Sequence, residues 1–320
     1  TTYLQNLPKR FRNLHKLFPM LRVKAFQKLD LSEYDIILSS CSAESKQVRK
    51  TRPDQIHICY CHTPIRYYWS HYDEYRRNPG FGKLNWLIRM AMPLFVPPLK
   101  KADYQAAQEI DLFIANSNEI KSRIEKYYKK PAIVLNPPVD VKRFNPAPLP
   151  KRGNFYMAYS RQIPYKRIDL AVAAANELRI PLKVFGTGSE HQKLVDMAGP
   201  TVQFFPDDTV TVTDAFNHAR GYIFPAMEDF GIVQVEAMAG GAPVISYGKG
   251  GALDIIKDGE TGILFEDQTV KSLVNAIKRA EKTEFNPMLI NMRAKRFDVG
   301  LFVTKIKKIV ADSYAKKTDS

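Results

Sequence analysis

Cysteine is scarce in this sequence, with three in 320 residues, at positions 41, 59 and 61. An odd count without framework spacing excludes a disulfide-stapled scaffold and suits a reducing compartment. Long apolar runs are missing as well. No stretch reaches the roughly 18 uncharged apolar residues that a membrane-spanning helix needs. Thr1 to Arg12 is polar and basic, without the apolar centre of a signal peptide. The chain therefore reads as soluble and cytosolic. There is also no internal repeat, no low-complexity segment and no Asp-x-Asp. His57, Cys59, Cys61 and His62 do cluster, but Cys-x-Cys within one strand puts both thiols on one face. No second Cys/His pair follows at finger spacing, so no metal site is expected.

Acidic residues are short in one half only. The net charge is +15, and residues 1–150 hold 25 Lys+Arg against 13 Asp+Glu, whereas the remainder holds 23 against 20. A surplus confined to the first half points to an anionic partner there: membrane headgroups, nucleic acid or a phosphorylated substrate. A purely solubilising surface would spread its charge more evenly.

Strand-like runs alternate with amphipathic helical patterns along the whole chain, the signature of parallel α/β sheets. In the first half strands are expected at Tyr34–Ser39, Ile56–Tyr60, Leu112–Ala115 and Ala132–Leu135. In the second they are expected at Phe155–Ser160, Leu182–Phe185, Thr201–Phe205, Gly221–Phe224 and Pro243–Ser246, with helices such as Ile168–Glu177 and Val270–Ala280 between. Prolines at 146, 148 and 150 cannot join a helix or a central strand, so residues 146–152 read as a semi-rigid linker. The division is then a first domain at 1–145, a second at 153–298, and a terminal helix at 299–320 expected to cross back to the first. Ligands of open α/β sheets bind outside the carboxyl ends of the strands, so a cleft between two such sheets is the expected site.

The most informative segment is Phe224-Pro-Ala-Met-Glu-Asp-Phe-Gly-Ile-Val-Gln-Val-Glu-Ala-Met-Ala-Gly-Gly. A strand ends at Pro225, a loop carries Glu228 and Asp229, and a helix opens near Gly231 and closes at Gly240-Gly241. Unpaired amides at a helix start suit a phosphate, and carboxylates suit sugar hydroxyls. Two glutamates eight apart equally fit a capping acid and a solvated face. A second segment, Ala158-Tyr-Ser-Arg-Gln-Ile-Pro-Tyr-Lys-Arg167, puts Arg161 and Lys166 at a strand end. A planar guanidinium and a point-charge ammonium together suit a diphosphate. Val184-Phe-Gly-Thr-Gly-Ser-Glu190 ends another strand in a glycine turn, and Gly248-Lys-Gly-Gly reads mainly as backbone geometry. In the first half, Cys61-His-Thr-Pro-Ile-Arg-Tyr67 places His62 at the carboxyl edge of a strand, where it serves as a polar cap or faces a ligand. Leu84–Leu99 has Arg89 as its only charge. It reads either as a segment dipping into a headgroup layer, anchored by Trp86 and Phe95, or as a core or acceptor-groove helix broken at Pro93.

These segments carry a resemblance. The Glu228…Glu236 stretch resembles the E-x₇-E motif of family-4 retaining glycosyltransferases, with its Phe-Gly-Ile and Glu-Ala-Met-Ala context, and Ser-Arg-x-x-Pro-x-Lys resembles that family's diphosphate-holding segment. The Cys-His-Thr-Pro-Ile-Arg-Tyr run is similar to that of the WbaZ-like mannosyltransferases of bacterial polysaccharide and lipopolysaccharide synthesis. Asn116-Ser and Pro137-Pro-Val-Asp140 also look like family segments. The resemblance implies a GT-B fold, two Rossmann-like α/β domains facing across a cleft. It implies His62, Arg161, Lys166 and Glu228 as catalytic residues, with His62 and Glu228 at the donor sugar and Arg161 and Lys166 at its diphosphate. Gly186, Gly188, Asp229, Phe230, Gly231, Ile232 and Glu236 would bind the donor, Glu236 through the ribose, and Arg66 would approach the acceptor. It further implies a nucleotide-sugar substrate, GDP-mannose by the nearest context, no metal or other cofactor, and a glycan or polyprenyl-linked acceptor. An anionic membrane surface is the expected partner, with the protein peripheral at its inner face.

The family's usual first strand and glycine-rich loop have no counterpart before Thr1, so the first domain is expected to be incomplete. That expectation motivates a rival, a non-catalytic subunit bound to a partner glycosyltransferase. A nucleic-acid-binding protein would explain the charge, but it leaves Glu228 and Glu236 without a role and lacks aromatic-basic recognition motifs.

Overall fold

The computed structural model describes residues 19–80, 82–144 and 151–318. The prolines of the expected linker, at 146, 148 and 150, lie outside them. The chain divides into two compact units, one of residues 1–135 with 305–320 and one of residues 136–304. Helix α12 (Val299–Thr318) starts in the second and continues into the first.

The first unit is built on four parallel strands in the order β1 (Ile36–Cys41), β2 (Ile56–Cys61), β3 (Leu112–Ala115), β4 (Ala132–Val134). Every residue of β2 is buried, as expected where helices cover both faces of a parallel sheet. Around the sheet lie α1 (Pro19–Gln27), α2 (Tyr72–Arg77), α3 (Asn85–Gln108) and α4 (Asn118–Tyr128). Ser117 caps α4 by accepting from the Ile120 amide. The expected break at Pro93 does not occur. Helix α3 runs on through Pro93, Pro97 and Pro98. All three prolines are exposed, so water can take the carbonyls that their missing N–H groups leave unbonded.

The buried half of α3 is held by an ion pair. Lys46 Nζ lies 2.6 Å from Asp103 Oδ1, both side chains fully buried, while Asp103 Oδ2 accepts from Tyr128 Oη and Trp69 Nε1, each at 2.8 Å. Removing either charge would strand the other in the core, at a cost of about 3–5 kcal/mol.

The second unit has six parallel strands: β5 (Tyr156–Tyr159), β6 (Leu182–Phe185), β7 (Val202–Phe205), β8 (Gly221–Phe224), β9 (Val244–Tyr247) and β10 (Gly262–Phe265). Their order across the sheet is β10-β9-β8-β5-β6-β7. Successive side chains alternate between two cores. Met157, Tyr222 and Val244 enter one, and Ala158, Ile223 and Ile245 enter the other. Covering helices are α5 (Ile168–Leu178), α6 (His191–Met197), α7 (Thr209–His218), α8 (Ile232–Ala239), α9 (Ala252–Ile255), α10 (Val270–Glu281) and α11 (Pro287–Ala294). Strand β10 escaped the sequence reading because only three apolar residues, Ile263–Phe265, follow the Asp258–Gly262 turn. Its first residue, Gly262, passes so close to β9 that a Cβ would stand 2.0 Å from the Val244 carbonyl oxygen.

Candidate active site

The strand order of the second unit contains one reversal. From β5 the chain steps outward through β6 and β7, then crosses to the other side of β5 to lay down β8, β9 and β10. Between β5 and β8 the connections therefore leave in opposite directions, opening a crevice at the carboxyl ends of the two strands. The two glycosyltransferase-like segments of the sequence are the loops after these strands. Their charged residues meet there: Lys166 Nζ is bonded to Glu228 Oε1, with side chains 14% and 16% exposed.

Local chemistry shapes each loop. After β5 the chain turns at Ser160–Gln162, and Lys166 ends a short 3-10 turn opened by Pro164. Gln162 is fully buried and anchors the turn, donating to the Gly186 carbonyl at 2.6 Å and meeting His191 Nδ1 at 2.6 Å. Arg161 stays exposed and donates to Tyr165 Oη at 3.2 Å. Gly186 and Gly188, expected to bind the donor, pack on this turn. A Cβ at Gly186 would stand 2.2 Å from the Ser160 oxygen, and one at Gly188 2.3 Å from the Gln162 oxygen.

After β8, Glu228 and Asp229 lead into Gly231, which takes φ +96° to start α8, a conformation that costs any residue with a Cβ. The Phe230 ring is buried against Phe297 at 5.5 Å, so this residue offers its backbone to the crevice edge rather than its side chain. Ile232 is exposed at the helix start. In the first turn of α8 the Gln234 amide donates to the Gly231 carbonyl at 3.0 Å, and the positive end that a helix start presents is attractive to an anion. Helix α8 ends as expected at Gly240-Gly241. The Ala242 amide donates to the Ala237 carbonyl and the Gly241 amide to that of Met238, with Gly241 at φ +78°. The Gly248–Gly251 segment closes the loop from below, since the Gly251 amide donates to the Glu228 carbonyl at 2.9 Å.

Glu236 lies on the second turn of α8, half-buried, and burial pushes its carboxyl above the ordinary range while Arg143 pulls it back. The sequence reading missed Arg143, which precedes the expected linker and sits in a 3-10 turn packed against α8. It also missed Gln162 and Tyr159, whose hydroxyl burial raises to about 12. Nothing in a linear pattern links Arg143 to a helix some ninety residues away.

In the first unit, His62 stands just past β2. Its Nε2 is 2.8 Å from Ser40 Oγ at the end of β1, its carbonyl accepts from Asn116 Nδ2 at 3.1 Å, and Tyr60 meets its ring edge-on. Arg66 follows in the next turn, half-buried. His57 lies at the other end of β2 and is kept neutral by burial, its pKa lowered to about 4, with Ser39 Oγ 2.8 Å from Nε2. The thiols of Cys41, Cys59 and Cys61 belong to the core.

Residues 141–296 match the family model for glycosyl transferases group 1. The matched residues lie within the second unit, 136–304. Among similar proteins, the D-inositol 3-phosphate glycosyltransferase of Mycobacterium leprae is 30% identical over 217 residues, covering 60% of this chain and 51% of that protein. The chain thus spans about half the length of the relatives it matches in this group. The α-1,3/1,6-mannosyltransferase ALG2 of Dictyostelium discoideum is 36% identical over 72 residues, 22% of this chain and 17% of that one. Among solved structures, a sucrose-phosphate synthase from Thermosynechococcus elongatus superposes with a TM-score of 0.72 at 19% identity, covering 97% of this chain and 81% of that one. HepE of Anabaena, in complex with UDP and glucose, gives 0.63 at 18% identity, with 96% and 84% covered. These likenesses establish the fold: two parallel-sheet α/β domains of the GT-B type.

Proposed function

We propose that this chain is a retaining hexosyltransferase that moves mannose from GDP-mannose to a glycan or polyprenyl-linked acceptor in cell-surface polysaccharide synthesis, without a metal ion, while peripheral at the cytoplasmic face of a membrane. The observation that carries the reading is the meeting of Lys166 and Glu228 at the β5/β8 reversal, inside the residues that match the group 1 family model. Arg161 and Lys166 take the donor diphosphate and stabilise the charge that develops as it leaves. For Lys166 this means exchanging Glu228 for phosphate, which frees the Glu228 carboxylate to accept from sugar hydroxyls. Glu236 accepts from the ribose hydroxyls, and the amides at the α8 start face the phosphates. His62 contacts the hexose and Arg66 approaches the acceptor. The acceptor oxygen attacks the anomeric carbon on the face the diphosphate leaves, and a phosphate oxygen takes its proton.

Mannose is supported by the Cys-His-Thr-Pro-Ile-Arg-Tyr run and by the local similarity to ALG2. The test is donor turnover across GDP-mannose, UDP-glucose, UDP-galactose and UDP-N-acetylglucosamine. GDP-mannose is expected to be used at least about tenfold faster than the others, a difference of about 1.4 kcal/mol in the barrier. Preference for a UDP-sugar would overturn the donor, and turnover of none would overturn the enzyme.

A further inference from the structure

Helix α3 is apolar on two sides and packs on only one. Val96, Leu99, Asp103 and Ala107 are buried at helical spacing and form the face that meets the body of the first unit. Trp86, Leu87, Met90 and Leu94, spaced i, i+1, i+4 and i+8, form a second stripe on the far side of the same helix. That stripe is open: Trp86 is 62% exposed, Met90 69% and Leu94 74%, with Phe95 at its margin 63% exposed. An apolar stripe left in water at this scale marks an interaction surface. No helix among the described residues is long and apolar enough to cross a membrane, so the stripe belongs to a surface-lying element.

The chemistry beside the stripe selects the partner. Arg89 donates to the Arg77 carbonyl at 2.7 Å and reaches that of Arg76 at 3.3 Å, tying the end of α2 to α3. Arg76, Arg77 and Arg89, with Asp73 as the acidic member, line a recess of about 380 Å³. Exposed Lys101 continues the open stripe, and Lys100 is held over the Trp69 ring at 4.3 Å. Apolar side chains flanked by cations match an anionic bilayer, which takes the first below its headgroups and the second among its phosphates. The buried Lys46–Asp103 pair fixes the inner face of the same helix, so the outer face is presented without rearrangement. We infer that the open stripe of α3, with the arginine recess of α2, docks this protein on an anionic phospholipid surface. The inference gives the proposed membrane placement its residues, and it does not depend on which sugar is transferred.

Tryptophan emission tests it, because the sequence has only two tryptophans and they are differently placed. Trp69 is bonded to Asp103 and stacked on Tyr127, whereas Trp86 lies in the stripe. Phosphatidylglycerol vesicles added to the full chain should shift the emission to the blue and sediment the protein, and phosphatidylcholine vesicles should do neither. Trp86→Phe should still sediment but lose the shift. Leu94→Glu should lower partitioning at least about tenfold, since an apolar contact becomes a like charge to the lipid. Arg76→Gln with Arg77→Gln should lower it about fivefold per charge at low salt and less at high salt. Unchanged partitioning in Leu94→Glu, or equal binding to neutral vesicles, overturns the inference. So does a wild-type dimer in sedimentation velocity that Leu94→Glu converts to monomer without any vesicle binding, since the stripe would then be covered by a second copy. Donor turnover without vesicles, measured on wild type and Leu94→Glu alike, keeps this outcome separate from the fate of the transferase reading.

Discussion

Replacing Lys166 by methionine removes one half of a pair that the structure buries to about one-seventh exposure. Two unit charges about 4 Å apart attract by about 4 kcal/mol at an effective dielectric near 20. Partial desolvation of both groups offsets much of that, so a coupling of about 1–3 kcal/mol is expected. Lys166→Met should destabilise the second unit because the Glu228 carboxylate is left unpaired, and Glu228→Gln should do the same for the Lys166 ammonium. The double variant should recover the coupling, being less destabilised than the sum of the two. Both tryptophans lie in the first unit, so far-UV circular dichroism in urea, not tryptophan emission, must follow the second. Additivity within about 0.5 kcal/mol would refute the pair. Turnover separates stability from chemistry. The double variant is expected to be as inactive as either single one, because sugar and diphosphate contacts are lost together. A stable double variant with near-normal turnover would remove both residues from the site.

Two further outcomes follow from the same crevice. Burial raises the Glu236 carboxyl above its ordinary 4.5, so the folded state prefers the protonated form, and stability falls as pH rises through and beyond that value. Glu236→Gln should therefore stabilise the second unit at pH 7 and make little difference near pH 3, while weakening GDP binding in calorimetry. Equal stability of the two proteins at pH 7 would contradict this. Gly188→Ala should cost about 1–3 kcal/mol and weaken donor binding, because the new Cβ meets the Gln162 oxygen at 2.3 Å and must push the Arg161 turn aside. Unaltered affinity would show that the turn does not position Arg161.

Much of this protein is written in local pattern. Strands Leu112–Ala115, Leu182–Phe185 and Gly221–Phe224 stand where their apolar-rich runs put them, because a short run of this kind, interrupted in the second only by Lys183, has few other uses between turns in an alternating α/β chain. Helix α8 begins after Gly231 and ends at Gly240-Gly241 because those glycines take backbone conformations that side chains resist. Other features required the assembled fold. Strand order is a long-range property, so the reversal that brings Lys166 to Glu228 across sixty residues of sequence is invisible until the sheet forms. The same holds for Arg143 beside Glu236 and for the glycines that press on the Gln162 turn. Helix α3 marks the boundary most clearly. Its sequence declares an apolar segment but cannot tell which face packs, since hydrophobicity is the same property whether a neighbouring helix or a lipid receives it. Only the tertiary structure, by burying Leu99 and Asp103 and leaving Trp86 and Leu94 open, assigns one stripe to the core and the other to the surface.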